Sequence, residues 1–282
     1  MSFQRSSRIQ RIGPLLWGVV VFSSIMIHAQ NEPTATSTPN FALGTDAQAA
    51  ALASQAVTAV LGKNVVQDLT LSGNATWGTG DGQRGAIVLR ALGSNESRID
   101  ITLPDGTRTE IRDASAGYSQ GKWINPDGKS GRFAGHNAMT DAVWFFPAIG
   151  SLVAQPGIIL SYVGLETRNG DSVQHLRSSA YSSSSPPQPM AAHATAVQFS
   201  TMDFYLSASN LLPVAVTFNR HPDSNAGVNI PIEIDFSDYQ LVTGVMVPMH
   251  IHKSANGATV LDINLTGADF NSGLTLSEFS VN

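Results

Sequence analysis

Ile232-Glu233-Ile234-Asp235-Phe236-Ser237-Asp238-Tyr239, followed by Thr243-Gly244-Val245-Met246-Val247-Pro248-Met249-His250-Ile251, decides the fold. Apolar and polar residues alternate with a period of two, the pattern of strands that are dry on one face and wet on the other. Asp269-Phe270-Asn271-Ser272-Gly273-Leu274, with Phe279 behind it, closes the chain. The C-terminal stretch therefore reads as an antiparallel meander.

The same period recurs upstream. Leu69 and Leu71, then Ile87 and Leu89, then Ile99, Ile101 and Leu103 alternate with polar neighbours. Pro104-Asp105-Gly106 is a turn signal that predicts a hairpin of 97–103 with 107–113. Asn125-Pro126-Asp127-Gly128 ends the next strand, which carries Tyr118 and Trp123. Further strands are expected at about 157–166, 172–178, 198–207 and 213–220. Asp46 is a plausible N-cap for a helix to Leu61, with Leu52, Ala56, Ala59 and Val60 on one face and Gly62 as the stop. The class is α+β, mainly β: an antiparallel sheet with a dry face that helices cover.

Composition agrees. Hydrophobic residues make up 42%, charged residues 13%, and there are 25 glycines and 14 prolines, the balance of a turn-rich β protein. The net charge is −5 and basic residues form no run, which excludes the electrostatic footprint of nucleic-acid binding.

The first 29 residues read as an export signal. Arg5, Arg8 and Arg11 precede the apolar run Pro14–Ile27, which is shorter than the ~20 residues of a spanning helix, and cleavage is expected near Ala29. Loss of these three arginines takes the charge from −5 to −8. With no cysteine there is neither a disulfide nor a lipidation site. Residues 30–45 have linker composition. Residues 46–282 are expected to form a single domain, interrupted by a disordered Ser/Pro loop at about 178–195.

Chemistry-bearing constellations are sparse. His250 and His252 share one strand face, the geometry of a metal-ligand pair, but they alternate with Val247, Met249 and Ile251 and so fall on the wet side. His136, His175, His193 and His221 are scattered, and no close His-carboxylate cluster can be picked out. Glu233 and Asp235 alternate with Ile232, Ile234 and Phe236 in the same way. No Gly-x-Ser-x-Gly elbow occurs, and Gly78-Thr79-Gly80-Asp81-Gly82 lacks the following Gly-Lys-Ser/Thr of a phosphate loop. No catalytic residue, metal or cofactor is expected. The segment Ala142-Val143-Trp144-Phe145-Phe146-Pro147-Ala148-Ile149 is apolar all round, so it is either a buried core helix or a movable lid.

Several of these stretches resemble the periplasmic lipoprotein-carrier superfamily, the LolA-like proteins, and in particular their outer-membrane lipoprotein-sorting relatives. The residues concerned are Phe236-Ser237-Asp238-Tyr239, Gly244-Val245, Pro248, Ile251, Gly257, and Asp269 to Leu274 with Phe279. Upstream, the helix from Asp46, Gly121-Lys122-Trp123, Phe146-Pro147 and Asp203-Phe204-Tyr205-Leu206 to Leu212-Pro213 are similar too. The resemblance spans roughly 46–282. It implies a curved sheet, an unclosed half-barrel with helices over its concave face, and a non-catalytic periplasmic or secreted protein that binds lipid or lipoprotein acyl chains. The implied partners are a hydrophobic ligand such as an acyl chain and a lipoprotein or envelope protein, with no nucleic acid and no transmembrane domain in the mature chain. Candidates for the cavity lining or lid are Trp77, Trp123, Trp144, Phe145, Phe146 and Ile149, each of which could equally serve as ordinary core. The classical carrier latches its lid with an arginine; Arg84 and Arg90 lie in the corresponding region, and no motif fixes the match. The competing class is a structural or protein-interaction β module with a solid core.

Overall fold

The computed structural model describes residues 44–80, 82–113, 120–133, 135–140, 144–146, 158–180, 190–222 and 224–281. The expected signal peptide, nearly all of the expected linker, Tyr118 and Ile149 lie outside the described residues.

Alternation along the chain becomes one antiparallel sheet of 13 strands. In chain order these are β1 (Asp68–Trp77), β2 (Gln83–Leu92), β3 (Glu96–Leu103), β4 (Gly106–Asp113), β5 (Gln120–Ile124), β6 (Ser130–Phe133), β7 (Ile158–Arg168), β8 (Asp171–Ala180), β9 (Met202–Ser207), β10 (Pro213–Arg220), β11 (Ile230–Val242), β12 (Val245–Ala255) and β13 (Ala258–Phe270). Their order across the sheet is β6-β5-β4-β3-β2-β1-β13-β12-β11-β10-β9-β8-β7. Every neighbour but one follows its partner directly in sequence, and the exception, β1 on β13, joins the chain's two meanders.

The sheet curls. β6 and β10 stand nine positions apart in that order, which at about 4.8 Å per strand would separate them by ~43 Å in a flat sheet. Instead the Arg220 guanidinium on β10 lies 5.2 Å from the ring centroid of Phe133 on β6. β6 and β7 form the two free edges, so the curl does not close. This is the unclosed half-barrel that the resemblance implies.

Helix α1 (Ala47–Leu61) lies across the dry face against β12 and β7. Asp46 caps it, accepting from Gln48 N–H at 2.7 Å and Ala49 N–H at 3.2 Å, and Gly62 ends it at φ 59°. The side chains it buries are Ala49, Ala53, Ala56 and Val60. Leu52 and Ala59, expected on that face, flank it instead. An alanine stripe lets the helix axis approach the sheet more closely than leucine would. The helix is tied at both ends, by Asp46 N–H to Leu160 O (2.8 Å) on β7 and by Asn64 Nδ2 to Gly244 O (2.9 Å) in the β11–β12 turn.

Two further helices are described, α2 (Gly135–Thr140) and α3 (Met190–Ser200); α2 packs on β5 and α3, and α3 on β8. Helix α3 narrows the loop expected at about 178–195: β8 runs to Ala180 and the helix begins at Met190, so the expected strand at 198–207 starts only at Met202. Residues 181–189 lie outside the described set. The run Ala194-Thr195-Ala196-Val197-Gln198 is helix-compatible, and the Ser/Pro stretch before it disguised that.

The hairpin of β3 and β4 forms as expected, with Leu103 paired to Gly106. Asn125 N–H to Lys129 O (2.8 Å) closes the β5–β6 turn, where Gly128 takes φ 80°. In β11, Asp238 adopts φ 55° and the alternation changes phase. Ile232, Ile234 and Phe236 are buried before it, whereas Tyr239 packs on the same core after it. A 3-10 turn, Leu276–Phe279, then lays Phe279 and Val281 against Ile111 on the outer face of β4.

Candidate functional site

Cross-strand pairing puts partners on the same face of a sheet. Following it from β11 gives the concave wall: Ile234 pairs with Lys253, Lys253 with Leu261, and Leu261 with Trp77. From the other side, Ile101 pairs with Arg108, and Ile99 with Glu110. These rows meet across a cavity of about 200 Å³. Ile99, Ile101, Ile232 and Leu261 form its apolar wall, Trp77 and Trp144 its aromatic wall, and Arg108, Glu110, Arg220 and Lys253 its charged part.

The charges are held against rings. Lys253 Nζ lies 4.1 Å from the Trp144 ring centroid, and the Arg108 guanidinium 4.9 Å from that of Trp77. Lys253 is only 7% exposed. A cation over an indole face is attracted by the ring's negative face, which aliphatic carbon does not offer. Arg108 also donates to Glu110 at 2.6 Å and, through its other terminal nitrogen, to Asn125 Oδ1. Arg112 donates to Glu110 at 3.2 Å and lies 4.3 Å from the Phe133 ring centroid.

Trp144, Phe145 and Phe146 fill the concavity beside the cavity. They form a turn rather than a helix, and all three are buried. Trp144 and Phe145 meet edge to face at 5.6 Å, and Phe146 packs at 6.2 Å on Phe270, at the far end of β13. Of the expected lining, Trp77 and Trp144 reach the cavity. Phe145 and Phe146 belong to the main core. Trp123 pairs with Glu110 and shares its face, but it stacks over Gly131, where a Cβ would come within 2.6 Å of its ring, and does not reach the cavity.

The charged members were not legible as such. Lys253 follows Ile251 at the period of two, so its place on the dry face was available from the pattern. On β4 polarity is reversed: Arg108, Glu110 and Arg112 face inward, while Ile111 faces outward under Phe279. Arg84 and Arg90 are on the opposite face from Ile87 and Leu89; Arg90 pairs with Asp100 at 2.9 Å.

That outer face carries the rest of the polar chemistry. His250 contacts Ser237 Oγ (3.0 Å) and Asp262 (3.2 Å), and His252 contacts Thr259 Oγ1 (2.9 Å) and Asp235 (3.5 Å). A His-carboxylate cluster also exists, contrary to expectation. His175 sits between Glu166 (2.7 Å) and Asp203 (2.8 Å), and Arg177 holds Asp203 at 2.7 Å. Residues far apart in sequence build it, which is why spacing did not reveal it. Among the described residues, no group of three or more His, Asp or Glu side chains is arranged so that it could hold a metal ion. A larger groove of about 810 Å³ lies beside β7–β11, where Arg168, Asp171, Ser207, Asp235 and Ser237 stand among Val173, Leu212, Val214 and Phe236. The dry-face cavity is the one that the buried Trp144 lines, and it is the candidate site.

No family model matches the chain, and no curated protein matches it in sequence. Solved structures do match in fold. A DUF1329 family protein from Desulfovibrio piger superposes with a TM-score of 0.52 at 11% identity, over 83% of this chain and 97% of that one. A LolA superfamily protein from Nitrosomonas europaea gives 0.49 at 11% identity, over 82% and 97%. The chain thus shares the fold of the DUF1329 family protein, and the likeness is one of fold. Among the described residues, no helix is long and apolar enough to cross a membrane.

Proposed function

We propose that this chain is a non-catalytic binding protein of the cell envelope that holds an acyl chain, of a lipid or of a lipoprotein, in the concavity of its half-barrel. The observation that carries this reading is the wedge Trp144-Phe145-Phe146, which fills a continuous dry wall and borders an unfilled cavity. A chain that displaced the wedge would exchange one apolar filling for another at about 25 cal/mol per Å² of its own surface removed from water. Trp77, Trp144, Phe145 and Phe146 are the contacts proposed for it, with Trp123 and Ile149 as further candidates. The N-terminal pattern supports export with cleavage near Ala29, which would deliver a periplasmic or secreted product.

Native mass spectrometry of the mature protein, before and after solvent extraction, tests the reading. The expected result is a copurifying acyl ligand, or uptake of a neutral apolar fluorophore by the extracted protein. A protein that is empty and inert to the fluorophore would sink it. The competing reading, a structural envelope module with a solid core, has one observation in its favour: Phe145 is 0% and Phe146 2% exposed, as in any well-packed core.

A further inference from the structure

β10 and β11 separate before either ends. Their register runs from Arg220 with Ile230 to Ala215 with Asp235 and stops there, although β10 begins at Pro213 and β11 continues to Val242. Two local features part the strands. Pro213 has no N–H to donate, and the register of β10 on β9 shifts between Pro213 and Ala215. On β11, Asp238 takes φ 55°. A side chain bridges the gap in place of a ladder: Tyr239 Oη–H donates to Pro213 O at 2.6 Å.

An inner strand of the sheet thereby carries a stretch of edge. Residues 236–242 pair with β12 on one side, and among the described residues no strand pairs with them on the other. Ser237, Asp238, Gln240 and Leu241 are exposed, Leu241 at 69%. The gap opens into the groove of about 810 Å³. Arg168, Asp235 and Ser237 line that groove from the outer face, and Leu212 and Phe236 from the core. A strand edge that faces water is a template for a further strand.

The walls define what would fit. Backbone groups repeat along an edge at about 3.4 Å per residue, so residues 236–242 offer about 24 Å of it, which an extended peptide matches and a compact ligand does not. Val173, Leu212 and Val214 give alternate side chains of such a peptide apolar contact. The Arg168 guanidinium is already held by Glu233 and Asp235 and lies 4.5 Å from the Tyr205 ring centroid. Asp171, exposed on the groove wall, makes no ion pair among the described residues. A two-fold pairing of two copies through this edge would set the same acidic walls against each other, whereas a basic segment complements them and the chain's net charge of −5.

We propose that the gap between β10 and β11 is a docking site for an extended segment of a partner protein. The segment adds antiparallel to β11 and prolongs the line of β10, with apolar side chains toward Val173, Leu212 and Val214 and a basic side chain at Asp171. The site is separate from the concave-face cavity and does not depend on acyl binding.

The test is the fluorescence anisotropy of a labelled heptapeptide, Lys-Val-Thr-Val-Thr-Val-Lys, titrated with the full chain. Two analogues have alternate amides N-methylated, those of the valines in one and those of the threonines in the other. An edge uses every second amide of its partner, so one analogue is expected to lose binding and the other to keep it. A glutamate-for-lysine analogue is expected to bind about tenfold more weakly, and Asp171→Asn to narrow that difference. The unmodified peptide should slow amide exchange within residues 236–242. Equal binding of both methylated analogues, or protection confined to other segments, overturns strand addition. Equal binding of the lysine and glutamate peptides overturns the basic segment, and no binding by any peptide overturns the site. A chain that sediments as a dimer with those amides already protected assigns the edge to a second copy and overturns the partner peptide. Uptake of the apolar fluorophore reads acyl binding separately from all of these.

Discussion

The Lys253 ammonium stands 4.1 Å from the centroid of the Trp144 indole, on the dry face of a strand whose other inward residues are apolar. A buried charge on an apolar wall is tolerable only if its surroundings compensate, and the ring is one such compensation. The pair is expected to be coupled. In a double-mutant cycle of Lys253→Met and Trp144→Leu, followed by urea unfolding, the coupling should be about 1–2 kcal/mol. A coupling of zero would mean that the ring does not compensate the charge.

Phe145 reports on whether the wedge can give way. It is completely buried, so Phe145→Ala should destabilise the protein by about 3–5 kcal/mol through lost transfer energy and the cavity left behind. If the concavity takes a chain there, dodecanol should restore part of that loss and raise the melting temperature of the variant more than that of the parent. An apolar cavity can remain open and bind apolar ligands in this way. Melting curves with and without dodecanol decide it, and an equal shift in both proteins would count against a chain in that space.

How far the sequence reaches is visible strand by strand. Asp46 and Gly62 fixed α1, Pro104-Asp105-Gly106 fixed the β3–β4 hairpin, and alternation from Ile232 onward fixed the meander, because each depends on neighbours within a few residues. The site was legible only in part. Trp77 and Trp144 were singled out as large apolar residues, whereas Arg108, Arg220 and Lys253 beside them drew no reading at all. Alternation says that two faces differ, but which face is inward depends on what covers each. On β4 the C-terminal segment covers Ile111, and that hands the concave face to Arg108, Glu110 and Arg112. No periodicity within β4 could disclose a cover from the far end of the chain.

The same C-terminal segment is fastened by Asp68, whose carboxylate accepts from Ser272 N–H (2.8 Å), Ser272 Oγ–H (3.0 Å) and Gly273 N–H (3.0 Å). Burial alone would raise its pKa, but these hydrogen bonds outweigh burial and hold it below the ordinary value of 3.8. A depressed carboxylate pKa stabilises the fold in full above the ordinary value and loses that contribution as the pH falls through the lowered one. Asp68→Asn should therefore cost most at neutral pH, and its difference from the parent should shrink as the pH falls below about 4. Urea unfolding of both proteins at pH 7 and pH 3 measures this, and a difference independent of pH would show that the charge of Asp68 does not fasten the segment.

Asn137 on α2 makes a two-way clamp on the chain just beyond β10: its Nδ2–H donates to His221 O at 2.7 Å, and His221 N–H donates to its Oδ1 at 2.9 Å. His221 in turn meets Phe199 of α3 at 4.8 Å and approaches Val228 O through Nδ1 at 3.1 Å, so α2, α3 and the β10–β11 connection converge there. Arg220, the residue before the clamp, faces the cavity. Asn137→Ala should cost about 1–3 kcal/mol, because both bonds are buried and are lost together. Asn137→Asp keeps the acceptor for His221 N–H and should preserve slow exchange of that amide while losing the second bond. Hydrogen exchange at His221 separates the cases: fast in the alanine variant, slow in the aspartate variant and the parent. If Asn137→Ala leaves that amide as protected as in the parent, the clamp is not what holds the end of β10 and, with it, Arg220 at the cavity.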